Sequence, residues 1–272
     1  MNFKKFLELV EFSEKISEEI KKSYLEKTFK IVNRKDERDF ATEVDEKMEI
    51  LIAEKISELF PNHWIDWEES VKINLDAENI WYIDPIDWTK YFASWLPLFT
   101  TSIWLRKNWK AVAWIIINPM TSECIYSMKW FWAFKNWEKL KNIQTEKDLS
   151  KSFVYFDTTW LHWSSEEQKE KWLNFISQLM LKTYRSRNFW ASCFASFWWI
   201  TWHLWAFVDV FWKTKSQDIA AFSAILQELW YEERYFEIAW MKNYAIWDSD
   251  ILDQIEEISE NLWWINLIIG ID

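Results

Sequence analysis

Residues 81–89 read Trp81-Tyr82-Ile83-Asp84-Pro85-Ile86-Asp87-Trp88-Thr89. An apolar run followed by Asp-Pro-Ile-Asp predicts a strand ending in a tight turn. Such a turn can point two carboxylates, Asp84 and Asp87, and one backbone carbonyl, that of Ile86, at a single spot. Pro85 fixes one φ and keeps the turn rigid. Hard divalent cations want oxygen ligands, and Mg2+ usually takes a few carboxylates, waters and phosphate oxygens. If Thr89 opens a helix, the backbone N–H groups beside it offer a cradle for an anion.

Two further acidic clusters frame this one. Trp67-Glu68-Glu69-Ser70 follows the strand-like run Trp64-Ile65-Asp66. Asp218 opens the helical segment DIAAFSAILQEL, where an acidic residue also suits the helix dipole. A lone Glu-Glu pair or Asp-Pro step is ordinarily a solvated loop. Three such clusters in this order argue for one oxygen-lined site.

Residues 3–32 and 41–60 carry an apolar period of three to four and predict two long amphipathic helices, separated by the charged stretch 33–39. Phe60-Pro61-Asn62 is the expected stop of the second. From 64 to 134 the pattern becomes short β-rich runs, FTTSIWL, AVAWIIIN and CIYSM among them, with turn-like breaks. SFVYF predicts a short strand, residues 165–183 and about 217–229 predict helices, and a last helix near 248–260 is expected to precede a terminal strand, INLIIGID. Helices and strands alternate irregularly, which gives α/β or α+β layering.

The 272 residues suffice for a substantial core. A formal net charge of -11 argues against a nucleic-acid polymer or a membrane surface as partner. It does not exclude an anionic substrate, because bound cations reverse the local field of an acidic site. Cys124 and Cys193 offer neither a disulfide framework nor metal-ligand spacing, and His63, His162 and His203 make no zinc motif. The N-terminus reads as an amphipathic helix, not as a signal peptide or a membrane span. A reducing cytoplasm is the expected setting.

One feature of the composition is foreign to a folded enzyme: 1 Gly against 25 Trp. Ordinary usage of about 7% would give roughly 19 glycines. Asn108-Trp109 and Asn136-Trp137 stand between strand-like runs, where Asn-Gly is the usual hairpin turn because both residues need positive φ. The expectation is that most of these tryptophans are glycines in the organism's own protein. A gene that encodes glycine by UGA, translated with a table that reads UGA as tryptophan, produces this pattern.

With glycine at position 88, DPIDWT resembles the D-P-[IL]-D-G-T signature of the inositol monophosphatase family. The same family's G-E-E segment is similar to WEES, and its C-terminal W-D-x-A-A…E-A-G-G signature to QDIAA…QELWY. KWFWAFKNWEKL resembles its K-G-x-G-A-F-x-N-G-x-x-L hairpin, with Trp130, Trp132 and Trp137 at the glycines. Lys35…Asp39-Phe40-Ala41-Thr42-Glu43-Val44-Asp45 is similar to its K…D-x-V-T-x-x-D segment. The resemblance spans about residues 5–240 in consistent order. It implies a layered α-β-α-β-α sandwich, like that of fructose-1,6-bisphosphatase and of lithium-sensitive relatives. It further implies one such domain over residues 1–272, with subdomains of approximately 1–147 (metal and phosphate binding) and 148–272, and a homodimer.

The resemblance also implies roles. Glu68, Asp84 and the Ile86 carbonyl bind a first Mg2+, and Asp84, Asp87 and Asp218 a second, with two or three ions per site. Glu69 and Thr89 orient or deprotonate the attacking water, Asp45 supporting them from behind. Trp88, Thr89, Lys90 and Ala191 line the phosphate and substrate, a small phosphorylated metabolite such as inositol monophosphate or a sugar or polyol phosphate. Paired ions clamp both oxygens of an in-line displacement, and phosphoryl transfer needs mainly positioning and charge neutralisation. A Ser-His-Asp arrangement finds no supporting spacing. Lys90 and Tyr91 stand where many members have Thr-Asn. A lysine there resembles the 3'(2'),5'-bisphosphate nucleotidases and some histidinol-phosphatase-like relatives, and keeps a fructose-1,6-bisphosphatase-like activity open as well. From another class, a catalytically silent binding protein would keep the fold without turnover.

Overall fold

The computed structural model describes residues 2–34, 40–67, 77–108, 110–141, 146–156, 164–188, 205–209, 225, 228–229, 231–238 and 241–269. Of the candidate site residues, Glu68, Glu69, Ala191 and Asp218 lie outside them, as does most of the helix expected at 217–229. The chain forms two compact units, Met1–Leu140 with Ala220–Glu228 and Lys141–Ile219 with Leu229–Asp272.

The first unit begins with α1 (Phe3–Glu11), capped by the Asn2 side chain, and α2 (Ser13–Glu26). The single long helix expected over 3–32 is therefore broken at Phe12 and ends early. Lys27 takes a left-handed φ of 55° and stops α2. The chain then enters an antiparallel ribbon of β1 (Ile31–Arg34) and β2 (Phe40–Thr42), for which β-branched Ile31 and Val32 are suited. Amphipathic spacing survived across the junction and hid the stop.

Next, α3 (Glu43–Leu59) starts with a capping box: the Asp45 carboxylate accepts from the Thr42 backbone N–H at 2.8 Å, and the Thr42 hydroxyl accepts from the helix. After α3 the His63 N–H donates to the Phe60 carbonyl at 2.9 Å. Pro61 occupies the second place of that turn, where its fixed φ is favoured.

A seven-stranded sheet follows in the order β3-β4-β5-β6-β7-β8-β9. Its strands are β3 (Trp64–Trp67), β4 (Asn79–Asp87), β5 (Thr100–Lys107), β6 (Lys110–Asn118), β7 (Glu123–Met128), β8 (Ala133–Lys135) and β9 (Glu138–Lys139). β3 and β4 are parallel and the rest is an antiparallel meander. Phe6, Ile16, Ile52 and Ile56 of the helices are fully buried in one core with Trp81, Ile103 and Ile115 of the sheet.

In the second unit a five-stranded mixed sheet runs β11-β10-β12-β14-β13. Its members are β10 (Phe153–Phe156), β11 (Arg185–Arg187), β12 (Trp205–Asp209), β13 (Glu232–Ile238) and β14 (Met241–Trp247). α5 (Glu166–Lys182) is capped by Ser165 and Gln168, and α6 (Ser249–Ile269) packs on α5, β13 and β14. The terminal strand expected in INLIIGID is corrected: residues 265–269 continue α6. A short apolar run does not by itself separate strand from buried helix. No helix among the described residues is long and apolar enough to cross a membrane.

The tryptophans divide by conformation. Trp88, Trp95, Trp130, Trp132 and Trp137 have φ between 62° and 76°. Such a left-handed backbone costs an L-residue about 1–2 kcal/mol. Asn136 and Trp137, at φ 45° and 73°, link β8 to β9 in the two-residue turn that Asn-Gly favours. In β6, Trp114 lies opposite Trp104 of β5, and its indole N–H is buried with no acceptor among the described residues. Trp81 behaves as a tryptophan should: it is fully buried, and its Nε1–H donates to His63 Nδ1 at 3.0 Å.

Candidate active site

The end of β4 is irregular where chemistry is expected. Asp84 pairs with Ser102 and Asp87 with Thr100, so three steps on β4 face two on β5. One extra residue is accommodated at Pro85-Ile86, a β-bulge inside the sheet. That explains how a proline stands in an internal strand, since a bulge is one of the few places where its missing N–H is harmless. The Thr101 hydroxyl donates to the Pro85 carbonyl at 2.7 Å and holds the bulge. In a regular strand residues three apart face opposite sides. A one-residue bulge resets that alternation and brings Asp84 and Asp87 to the same side.

Asp87 is buried and Asp84 half-buried. Immediately beyond, Trp88 at φ 70° turns the chain into α4 (Thr89–Ala93). The Thr89 hydroxyl lies 3.1 Å from Asp45 Oδ1 and 3.1 Å from the Ile86 carbonyl oxygen. It has one proton, so it donates to one of these acceptors at a time. Asp45 is 3% exposed, and its other oxygen is held by the N–H and hydroxyl of Thr42 at 2.8 and 2.5 Å. The first turn of α3, the bulge of β4 and the start of α4 thus meet through Asp45, Ile86 and Thr89.

α4 is fixed from below. Phe92 is fully buried and packs on Tyr24, Phe29 and Phe99, with ring centroids 5.7, 4.9 and 5.2 Å apart. Phe99 is fully buried as well, whereas Phe131 is 44% exposed and stacks on Phe3, because its hairpin lies at the edge of the sheet. Above α4 the Trp88 indole stacks on Tyr91 at 5.0 Å. Lys90 is exposed, with Nζ 6.0 Å from the Trp88 ring.

The available donor set is carboxylate and carbonyl oxygen throughout, which fits Mg2+ or another hard cation better than a soft metal. Among the described residues no three His, Cys, Asp or Glu side chains form a metal-holding group. Two of the four expected carboxylates, Glu68 and Asp218, are outside that set. Burial pushes the Cys124 thiol up to about 12, which leaves it inert as a nucleophile.

Sequence reasoning missed Thr101 and the bulge it secures; a hydroxyl on the neighbouring strand, 16 residues from the proline, leaves no local trace. It also gave His63 no role, reading it only as a histidine outside any zinc motif. Thr42 entered only within the segment that resembles the family's, and its place in a capping box with Asp45 is a finding of the structure.

The fold is a mixed α/β one with a carboxylate-bearing bulge feeding a helix start. Residues 4–229 match the model of the inositol monophosphatase family, and the chain belongs to that family of phosphatases. It is similar to the fructose-1,6-bisphosphatase/inositol-1-monophosphatase of Aquifex aeolicus, 28% identical over 155 residues, 57% of this chain and 59% of that protein. The match thus spans little more than half the length of that relative. In three dimensions it is similar to the extragenic suppressor protein suhB from Bartonella henselae, with a TM-score of 0.80 and 20% identity over 93% of this chain and 97% of that one. An inositol monophosphatase/NADP phosphatase complexed with Mg2+ and phosphate shares the fold at a TM-score of 0.69 and 16% identity, over 86% of this chain and 87% of that one.

Proposed function

We propose that this protein hydrolyses a small phosphorylated metabolite, an inositol monophosphate or a related sugar or polyol phosphate, with Mg2+ as cofactor. The observation that carries this reading is the bulge that turns Asp84 and Asp87 to one side of β4, next to a Thr89 hydroxyl 3.1 Å from a buried Asp45. Asp84, Asp87 and the Ile86 carbonyl, with Glu68 and Asp218, would hold two or three ions. Mg2+, when bound, neutralises phosphate oxygens and makes water a stronger acid. The Thr89 hydroxyl donates its hydrogen bond to Asp45, which leaves lone pairs on the Thr89 oxygen to accept from the attacking water. Glu69 is the second acceptor for that water. The N–H groups of Trp88 and Thr89, at the start of α4, are without intrahelical acceptors and suit a phosphate oxygen, with Lys90 and Ala191 at its edge. Thr89→Ala should lower turnover by roughly 10²-fold with little change in substrate KM, since it removes a proton acceptor and no substrate-binding charge. An unchanged turnover would remove Thr89 from the mechanism.

A bisphosphate reading is favoured by one feature, the exposed Lys90 in the first turn of α4. A second phosphate on the substrate would meet its ammonium. Fructose 1,6-bisphosphate and adenosine 3',5'-bisphosphate, compared with inositol 1-phosphate, separate these substrates. Lys90→Gln should weaken the bisphosphates selectively. We also keep a homodimer in a reducing cytoplasm, with one family domain in two subdomains, as part of this reading.

The same proposal includes glycine at most tryptophan positions. The five left-handed tryptophans and the unsatisfied Trp114 indole support it. The gene should carry UGA at positions 88, 95, 130, 132 and 137 and UGG at 81; UGG at Trp88 would contradict it.

A further inference from the structure

α3 meets α4 at its start, and the turn that follows its end meets the site strand far from the carboxylates. At its start, Asp45 reaches Thr89 beyond the end of β4. At its end, the Phe60–His63 turn brings the imidazole against the beginning of the same strand. His63 Nδ1 accepts from the Trp81 indole at 3.0 Å, and the ring stacks on Phe60 at 5.1 Å. Trp81 is fully buried and three residues before Asp84. α3 also packs on β4. β4 is already hydrogen-bonded to β3 and β5, so what these contacts set is its seat against α3, and a shift of well under a residue repeat there moves a carboxylate out of coordination distance.

We infer that His63 is a positioning residue: its hydrogen bond to Trp81 fixes β4 against α3 and so sets Asp84 and Asp87 relative to Asp45 and Thr89. The inference rests on the Mg2+ phosphatase reading for its functional consequence, and on geometry alone for the contact itself. An acceptor at Nδ1 requires the neutral ring with its proton on Nε2. The protonated ring carries N–H on both nitrogens and cannot accept. Burial holds the His63 pKa below its ordinary value, assisted by the chain's amino group and Lys107; Glu78, which pairs with Lys107 at 3.4 Å, acts in the opposite direction. Because the folded pKa is depressed, the clamp is fully present above the ordinary histidine value of about 6.5. It is lost as pH falls through the folded value.

Two substitutions separate acceptor from bulk, both in the chain with glycine at its left-handed tryptophan positions. His63→Asn keeps an acceptor near the Nδ1 position but does not titrate. His63→Phe keeps a ring against Phe60 and has no acceptor. At pH 7.5 His63→Phe should raise the Mg2+ Kd, read by calorimetry, by about fivefold, the loss of one neutral hydrogen bond. His63→Asn should stay within about twofold of the parent by the same measure. Between pH 7.5 and 5.5 the parent should drift toward the His63→Phe value more than His63→Asn does. In metal-free protein the indole 15N–H resonance of Trp81 should move with the His63 titration in the parent and stay fixed in His63→Asn. Equal Mg2+ affinity and equal pH profiles in all three proteins, with an indole signal that does not respond, would overturn the inference. Absent turnover with the indole response intact would instead overturn the phosphatase reading and leave the clamp standing.

Discussion

Asp87→Asn, made in the chain with glycine at its left-handed tryptophan positions, should lower Mg2+-dependent phosphate release by roughly 10²–10³-fold, the scale of removing one charge-stabilising group from a preorganised site. The expected loss is electrostatic in origin. Asparagine has the size of aspartate, so the bulge at Pro85-Ile86 and the Thr101 bond that secures it are retained. One negative charge is lost at a buried position beside Asp84, where it would have met a cation. Thermal unfolding without Mg2+ should shift by no more than about 2–4 °C, because no core volume changes. A large activity loss with an unchanged melt identifies a site residue. Comparable losses in both would make Asp87 structural.

Replacing Trp88, Trp95, Trp130, Trp132 and Trp137 together by glycine should stabilise the protein by roughly 5 kcal/mol, about 1 kcal/mol per left-handed residue after allowing for the greater chain entropy of glycine. For a chain of this size that is a rise in Tm of about 10–20 °C. Total stabilities of about 5–15 kcal/mol make this a large fraction of what holds any domain together. Trp88 adds a catalytic effect. Its indole lies on Tyr91 beside the N-terminal turn of α4, where the phosphate is proposed to sit. Trp88→Gly alone should raise turnover tenfold or more, equivalent to about 1.4 kcal/mol of barrier. If the tryptophan form melts as high as the glycine form and turns over as fast, the recoding account is wrong.

These two results depend on features with different visibility in the sequence. The Asp-Pro-Ile-Asp step was legible because a proline between two acidic residues restricts the backbone whatever surrounds it. The left-handed positions were legible at Asn136-Trp137, since a two-residue connection between strands leaves few turn types. The bulge was not. It is a register shift between Asp84–Asp87 and Ser102–Thr100, and register is a property of two strands. The clamp at His63 was hidden for the same reason, its partner Trp81 being 18 positions away. The split of the N-terminal helix at Phe12 and its stop at Lys27 escaped because apolar spacing continued through both. The end of α6 was misread where Ile265, Leu267, Ile268 and Ile269 suit either a strand or a buried helix.

Local chemistry therefore named Asp84, Asp87 and Thr89, the family resemblance added Asp45, and tertiary pairing explains why they converge. Asp45 illustrates the division: its place in the first turn of α3 follows from Thr42-Glu43-Val44-Asp45, but its 3.1 Å approach to Thr89 requires the fold.

The most direct measurement is phosphate release from myo-inositol 1-phosphate, with Mg2+ and after its removal by a chelator, using the glycine form of the protein. Release that requires Mg2+ and is lost in Asp87→Asn is the predicted result. Release that proceeds equally without Mg2+, or a folded protein that binds Mg2+ but hydrolyses neither this ester nor the two bisphosphates, would contradict the account.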